Sequence, residues 1–152
     1  MNENKTILLV EDNPNEAELT RRALQKAHVT NELAIATDGQ EALDYLFGTG
    51  AYADREVSQL PALTLLDLNL PKLSGLEVLR RIRSDKSTRR ISVVILSSSR
   101  EESDVTAAYD SGANSYTHKP HDFQQFVKTI ESLGTYWLTI NEPPPAVGKG
   151  EV

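Results

Sequence analysis

The chain has 152 residues, of which 39% are hydrophobic and 25% charged, a balance typical of one globular domain rather than of a disordered chain. It contains no cysteine, which excludes disulfides, thiolate catalysis and cysteine-ligated metal clusters. The net charge of −6 disfavours binding to nucleic acid, and no apolar stretch reaches the length of a membrane span, so we expect a cytoplasmic protein.

Short apolar runs rich in Ile, Leu and Val recur along the chain and are typical of buried strands. They cover residues 6–10, 33–36, 63–66, 93–96 and, more weakly, 115–117. The segments between them have helical starts and helical spacing of apolar residues. The predicted starts are Asn13 before Pro14, Asp38, Ser74, Ser99 and Asp122. Strands alternating with helices predict an α/β fold with a parallel sheet covered on both faces.

Two segments do not fit this repeat. Residues 48–60 form a long predicted loop after the second helix, and residues 141–152 are rich in proline and glycine. We therefore expect one domain over residues 1–140 and a flexible tail after it. That length leaves no room for a second folded domain, so the protein is expected to act through contacts with other proteins.

Polar residues directly follow the apolar runs. Glu11 and Asp12 come after the first, Asp67 after the third, Ser97 after the fourth and Lys119 after the fifth. Ligands of open parallel sheets bind outside the carboxyl ends of the strands, so these side chains are expected to converge. The sequence thus predicts one polar site at this edge.

The expected site restricts the chemistry. Carboxylates in close proximity repel each other, and a hard divalent cation such as Mg²⁺ removes the conflict by accepting their oxygens. Lys119 adds a positive charge, which favours a phosphoryl group between the cation and the ammonium. Asp67 can serve as the nucleophile, since a carboxylate can form an aspartyl phosphate, and Ser97 can hydrogen-bond a phosphoryl oxygen.

The motifs ILLVEDN, LLDLNLP, VVILSS and YTHKP occur in this order, and together they resemble the receiver domain of two-component response regulators over roughly residues 5–133. The resemblance implies a flavodoxin-like, doubly wound sheet of five strands in the order 2-1-3-4-5, with five helices. It also implies that Asp67 is the phosphoacceptor, that Lys119 pairs with the phosphoryl group, and that Ser97 and Tyr116 form the conformational switch. Such a protein catalyses only its own phosphorylation and dephosphorylation.

The same resemblance implies a metal site. Asp12, Asp67 and the main-chain carbonyl of Asn69 would bind Mg²⁺, and Glu11 would reach the ion mostly through water. The peptide bond between Lys119 and Pro120 is expected to be cis.

A narrower resemblance is to single-domain regulators that partner bacterial and cyanobacterial phytochromes. It rests on the loop at residues 48–60, on the sequence NSY before Lys119, and on Tyr136 and Trp137. It implies a sensor histidine kinase as phosphodonor, with a bacteriophytochrome as the candidate. A homodimer through helix 4, strand 5 and helix 5 is a further expectation. Tyr136 and Trp137 either mark a partner surface or continue the last helix.

Other functions compete with this interpretation. A Mg²⁺-dependent phosphohydrolase of the haloacid-dehalogenase type would share the aspartyl nucleophile, but Asn69 stands where its general acid is expected. A flavodoxin-like FMN carrier would bind phosphate after the first strand, where Glu11 and Asp12 would repel it. The basic run at residues 80–90 is interpreted as a solvated helix face rather than a nucleic-acid contact.

Overall fold

In a computed structural model of the protein, which describes residues 5–145, one sheet of five parallel strands forms in the order β2-β1-β3-β4-β5. The strands are β1 (Ile7–Val10), β2 (Leu33–Ala36), β3 (Leu63–Leu66), β4 (Val93–Ser97) and β5 (Ser115–His118). The predicted α/β fold and strand order are confirmed, and the strand bounds differ from the predicted ones by no more than a residue at either end.

The helices are α1 (Pro14–Lys26), α2 (Gly39–Phe47), α3 (Gly75–Ser84), α4 (Glu102–Asp110) and α5 (Phe123–Thr135). Side-chain oxygens cap four of them as predicted, from Asn13, Asp38, Ser74 and Asp122. These caps accept N–H groups that the first helical turn leaves without partners. Among the described residues, no helix combines the length and the apolar character needed to cross a membrane.

The start of α4 was predicted wrongly. The helix begins at Glu102 without a side-chain cap, and Ser99 lies three residues ahead of it. The Ser99 hydroxyl instead donates to the Asp104 carboxylate (2.5 Å) and accepts the N–H of Glu101 (3.2 Å). The hydrogen bonds of Ser99 thus tie the loop after β4 to the first turn of α4, although Ser99 is not the residue that caps the helix.

Each face of the sheet has its own apolar cluster. Leu8 and Val10 of β1 point to the face covered by α2 and α3, whereas Ile7 and Leu9 point to the face covered by α1 and α5. Because both faces are covered, β1 to β4 are almost entirely apolar, with Thr64 as the one polar residue inside them, whereas β5 at the side of the sheet has the sequence SYTH. This arrangement places the functional residues at the sheet edge.

The chain continues beyond α5 in a wider helical turn, Tyr136–Ile140. Leu138 is buried in the cluster shared by α1 and α5, Trp137 packs against the same cluster, and Tyr136 is 46% exposed. Of the two alternatives for Tyr136 and Trp137, the structure therefore shows the continuation of the last helix. Of the predicted tail, residues 146–152 lie outside the described residues.

The segment 48–60 folds back onto α2. The Tyr52 hydroxyl donates to the Glu41 carboxylate (2.6 Å), and the Arg55 guanidinium lies 3.8 Å from the centre of the Tyr45 ring while donating to the Tyr45 carbonyl (2.9 Å). A charged hydrogen bond and a cation–π contact thus anchor this insertion to the helix that precedes it.

Candidate functional site

The register of the strands brings the predicted site residues to one edge. Val10 of β1 pairs with Leu66 of β3, so Glu11 and Asp67 leave neighbouring strands at the same level. The Asp67 N–H donates to the Val10 carbonyl (3.2 Å), which fixes this alignment. On the other side of β3, the N–H of Lys119 donates to the Ser97 carbonyl (2.7 Å).

The acidic side chains form one cluster. Glu11, Asp12 and Asp67 each offer a carboxylate oxygen, and these oxygens lie within 4.8 Å of one another. Glu11 is buried, Asp67 half-buried and Asp12 exposed. Main-chain N–H groups support the two inner carboxylates, from Asn13 to Glu11 (3.2 Å) and from Asn69 to Asp67 (3.3 Å). The predicted convergence of these residues is therefore seen in the structure.

Lys119 and the nearby main-chain N–H groups do not fully offset the negative charge of the acidic cluster. Burial raises the pKa of Asp67 above its ordinary value, against the opposing effects of Lys119 and of two main-chain N–H groups, and the nearby Asp12 raises it further. Burial likewise raises the pKa of Glu11, although Lys119 lowers it. The ionised cluster is electrostatically unfavourable unless a further positive charge joins it.

Lys119 is the cation of this site, and it is held by two glutamates. Its ammonium nitrogen lies 3.1 Å from Glu11 Oε1 and 3.2 Å from Glu16 Oε1, and its side chain is 12% exposed. Burial alone would lower the pKa of Lys119, but Glu11, Asp67 and Glu16 together outweigh it and the pKa is raised. Among the described residues, the Lys119 ammonium donates hydrogen bonds to Glu11 and Glu16 and makes none with Asp67.

Sequence reasoning missed the contact with Glu16. That residue was interpreted only as part of the start of α1. The available signal was its spacing, since Glu16 lies four residues after Asp12 and hence rises from the same sheet edge in the first turn of the helix.

The donor set of the acidic cluster fits a hard divalent cation. All its members offer carboxylate oxygens, the ligand type that such ions prefer, and neither His nor Cys contributes. The raised pKa values of Asp67 and Glu11 point the same way, because a bound cation would favour their ionised forms.

The two predicted switch residues are linked through one loop. Ser97 is buried at the end of β4, and its hydroxyl oxygen accepts the N–H of Ser99 (3.1 Å). The Tyr116 hydroxyl donates to the Ser99 carbonyl (2.9 Å), and the Tyr116 ring packs against the cluster on the α2 and α3 face. A movement of the loop after Ser97 would therefore act directly on Tyr116.

Gly75 lets the loop after β3 approach α3. Its N–H donates to the Leu68 carbonyl (2.9 Å), and a Cβ atom at this position would lie only 2.2 Å from the Asp67 carbonyl oxygen. Any larger residue would displace the main chain that carries Asp67.

The prediction for the bond before Pro120 is wrong. All peptide bonds of the described residues are trans, including the one between Lys119 and Pro120. The isomers of a bond that precedes proline differ little in energy, so a Lys-Pro motif does not fix the isomer by itself.

Comparison with known proteins identifies the family. Residues 7–131 match the model of the response regulator receiver domain. The chain therefore belongs to this family: it is a receiver-domain response regulator, a phosphoacceptor rather than an enzyme with a separate substrate. This assignment decides against the phosphohydrolase and the flavin carrier.

Two curated relatives match over most of their length. The chain is 40% identical over 138 residues to a probable methanogenesis regulatory protein, FilR2 of Methanothrix harundinacea, covering 91% of this chain and 86% of FilR2. It is 38% identical over 142 residues to the response regulator Rcp1 of a Synechocystis strain, covering 93% of this chain and 95% of Rcp1.

Three solved structures are also similar, each over 93% of this chain. The Mn²⁺-bound form of Rcp1 is 36% identical with a TM-score of 0.83 and 99% of its chain covered. The phosphorylated cyanobacterial phytochrome response regulator RcpA is 40% identical, with a TM-score of 0.85 and 99% coverage. The bacteriophytochrome response regulator RtBRR is 50% identical, with a TM-score of 0.75 and 84% coverage.

Proposed function

We propose that Asp67 accepts a phosphoryl group from the phosphohistidine of a sensor histidine kinase, in a reaction that requires Mg²⁺. The observation that carries this proposal is the cluster of three carboxylates within 4.8 Å, with Lys119 beside it, at the carboxyl edge of the sheet. Membership of the receiver family and the similarity to phosphorylated RcpA support it.

Asp12, Asp67 and the main-chain carbonyl of Asn69 would hold the Mg²⁺ ion, with Glu11 reaching it through water. A bound Mg²⁺ ion supplies positive charge that offsets the carboxylates and the phosphoryl oxygens. The Mn²⁺-bound structure of Rcp1, a relative of this chain, supports a divalent ion at such a site.

The transfer step needs little from the protein beyond positioning and charge. A carboxylate oxygen of Asp67 attacks the phosphorus atom, and the bond between phosphorus and the kinase imidazole nitrogen breaks in line. The bonding electron pair stays on that nitrogen, and with a proton on the other ring nitrogen of the phosphohistidine the products are a neutral histidine and an acyl phosphate. Lys119 and Ser97 then hydrogen-bond the phosphoryl oxygens, whose charge spreads during transfer.

The output step passes through the loop after β4. A phosphoryl group on Asp67 draws Ser97 and Lys119 toward it, and the Ser99 carbonyl carries this movement to the Tyr116 hydroxyl. The population then shifts toward a state with a different surface on α4, β5 and α5. We propose this surface as the contact for a downstream protein and for a second copy of the chain.

The kinase is proposed to be of the phytochrome type. RtBRR, a bacteriophytochrome response regulator, is 50% identical to this chain, and RcpA is a phytochrome response regulator. FilR2, in contrast, is named for a role in methanogenesis, so identity near 40% alone does not fix the kinase. The greater identity to RtBRR supports a bacteriophytochrome.

Intact-mass measurement after incubation with acetyl phosphate and Mg²⁺ tests the acceptor. Wild type should gain one phosphoryl mass, and the gain should disappear with Asp67→Asn or with excess EDTA. Asp110→Asn, an exposed aspartate at the end of α4, is the matched control and should behave as wild type. Equal modification of wild type and Asp67→Asn would refute the acceptor.

Phosphotransfer from purified kinases tests the partner. A phosphorylated bacteriophytochrome should transfer to this protein at least tenfold faster than a histidine kinase without a phytochrome sensor. Equal rates from both kinases would refute the phytochrome assignment and leave the acceptor assignment intact.

A further inference from the structure

The two carboxylates that hold Lys119 belong to different parts of the molecule. Glu11 is a member of the acidic cluster and its side chain is 4% exposed, whereas Glu16 lies in the first turn of α1 and its side chain is 38% exposed. The ammonium of Lys119 thus bridges the buried cluster and the helix beside it, at 3.1 Å and 3.2 Å from the two oxygens.

The position of Glu16 is fixed independently of Lys119. Its N–H donates to Asn13 Oδ1 (3.2 Å), which caps the helix, and a carboxylate in the first turn is favoured by the helix dipole. Glu16 therefore keeps its place in the helix when Lys119 moves away, and its negative charge is still favoured there by the helix dipole. A partly exposed ion pair of this kind changes an equilibrium by no more than about fivefold.

We propose that Glu16 is a positioning residue that holds Lys119 away from Asp67 in the unphosphorylated protein. The ammonium has three N–H donors, and two of them are engaged by glutamates. The third donor is left over, but the two contacts together fix the position of the ammonium, so a movement toward a phosphoryl group on Asp67 would give up at least one of them. Glu16 is the partner to be exchanged, because leaving Glu11 would strand a buried carboxylate.

This inference rests on the proposed function and adds a rate-setting residue to it. Glu16→Gln removes the competing charge while it keeps the size of the side chain and the helix. Lys119 would then be free to meet the incoming phosphoryl group. We expect phosphorylation by acetyl phosphate at fixed Mg²⁺ to become about two- to fivefold faster, the range that a partly exposed ion pair allows.

The control is Glu18→Gln. Glu18 lies on the same helix, but its carboxylate pairs with Arg21 and Arg22. This variant removes the same charge from α1 without touching Lys119, and it should be phosphorylated at the wild-type rate. The comparison separates the local contact from a change in net charge.

A double-mutant cycle provides a result that a purely structural role would not give. In a Lys119→Gln background, Glu16→Gln should no longer accelerate phosphorylation, because the contact that it removes is already absent. A wild-type rate for Glu16→Gln would overturn the inference, and so would an equal acceleration in the Lys119→Gln background, while both leave Asp67 as acceptor. Failure of wild type itself to gain a phosphoryl group would overturn the proposed function and this inference with it.

Discussion

Lys119 and Arg83 are both largely buried cations, and they lie at opposite edges of the sheet. Lys119 stands at the carboxyl edge among carboxylates, where Glu11 raises its pKa against the effect of burial. Arg83 stands at the amino edge, and burial alone lowers its pKa. The same physical problem, a charge removed from water, thus has two different solutions in one small domain.

Among the described residues, every hydrogen-bond acceptor of the Arg83 guanidinium is an uncharged oxygen. Its guanidinium donates at 2.8–2.9 Å to the carbonyls of Gly112, Arg89 and Ile91 and to Asn114 Oδ1. Asn114 Oδ1 also accepts the Val93 N–H (2.7 Å). The guanidinium therefore ties α3 to the segments that enter β4 and β5.

The difference teaches which cation can respond to a ligand. The acceptors of Arg83 are main-chain and amide oxygens in fixed positions, so any movement of the guanidinium breaks several hydrogen bonds at once. Lys119 has carboxylate partners, one of them partly exposed, and it can exchange that one for another anion. A cation among fixed dipoles stabilises the fold, whereas one among exchangeable charges is suited to a switch.

The largest effect is expected from Arg83→Met. This change keeps the apolar stem but removes the donors, and it should lower the free energy of unfolding by about 3 kcal/mol, because four hydrogen bonds are lost and two of them are partly buried. Urea unfolding measures it. Arg80→Met, whose exposed side chain pairs with Glu77, is the control and should cost less than about 1 kcal/mol. Similar costs for the two variants would contradict the structural role of Arg83.

At the carboxyl edge of the sheet, removing a charge should instead increase the free energy of unfolding. Asp67→Asn removes one charge from the acidic cluster, so in EDTA it should raise the free energy of unfolding by about 1 kcal/mol, since repulsion between charges near 4 Å is of this order or larger. Added Mg²⁺ should stabilise wild type and leave the variant nearly unchanged. A destabilised Asp67→Asn in EDTA would show that the cluster is not electrostatically strained.

An effect of similar size comes from the partly buried hydrogen bond between Tyr52 and the charged Glu41. The bond to Glu41 and partial burial raise the pKa of Tyr52 to about 12. Because the folded pKa lies above the ordinary value near 10, this stabilisation is complete below pH 10 and is lost as the pH rises through 12. Tyr52→Phe should therefore cost about 1 kcal/mol at pH 8, and the cost should shrink above pH 10.

Chemical denaturation of wild type and Tyr52→Phe between pH 8 and pH 11 checks this dependence. Tyr109→Phe serves as the control, because its exposed hydroxyl accepts the Tyr116 N–H rather than pairing with a carboxylate. A cost for Tyr52→Phe that stays constant with pH would contradict the proposed contact with ionised Glu41.

The carboxyl edge was predictable from the sequence, and the amino edge was not. Parallel strands end at one edge, so an apolar run followed by Asp67 or Lys119 indicates both the element and the place of the polar residue. The contacts of Arg83 join residues up to 31 positions apart through main-chain oxygens, which leave no trace in residue types. The sequence indicated only a basic run on a solvated helix face.

The wrong helix start at Ser99 and the open alternative at Tyr136 have the same origin. Ser99 has a residue type that caps helices, but its hydroxyl binds Asp104 because the loop after β4 sets its direction. Tyr136 begins a wider helical turn that depends on the burial of Leu138 against α1 and α5. Local patterns fixed the strands and four helix starts, whereas contacts made across the fold decided the rest.

Chemical localisation of the phosphoryl group tests the central claim most directly. Borohydride reduces an aspartyl phosphate to homoserine, which remains in the chain and can be located by peptide mass spectrometry. After incubation with acetyl phosphate and Mg²⁺, homoserine should replace Asp67 and leave Asp12 unchanged. Homoserine at Asp12, or at another aspartate while Asp67 stays intact, would contradict the account.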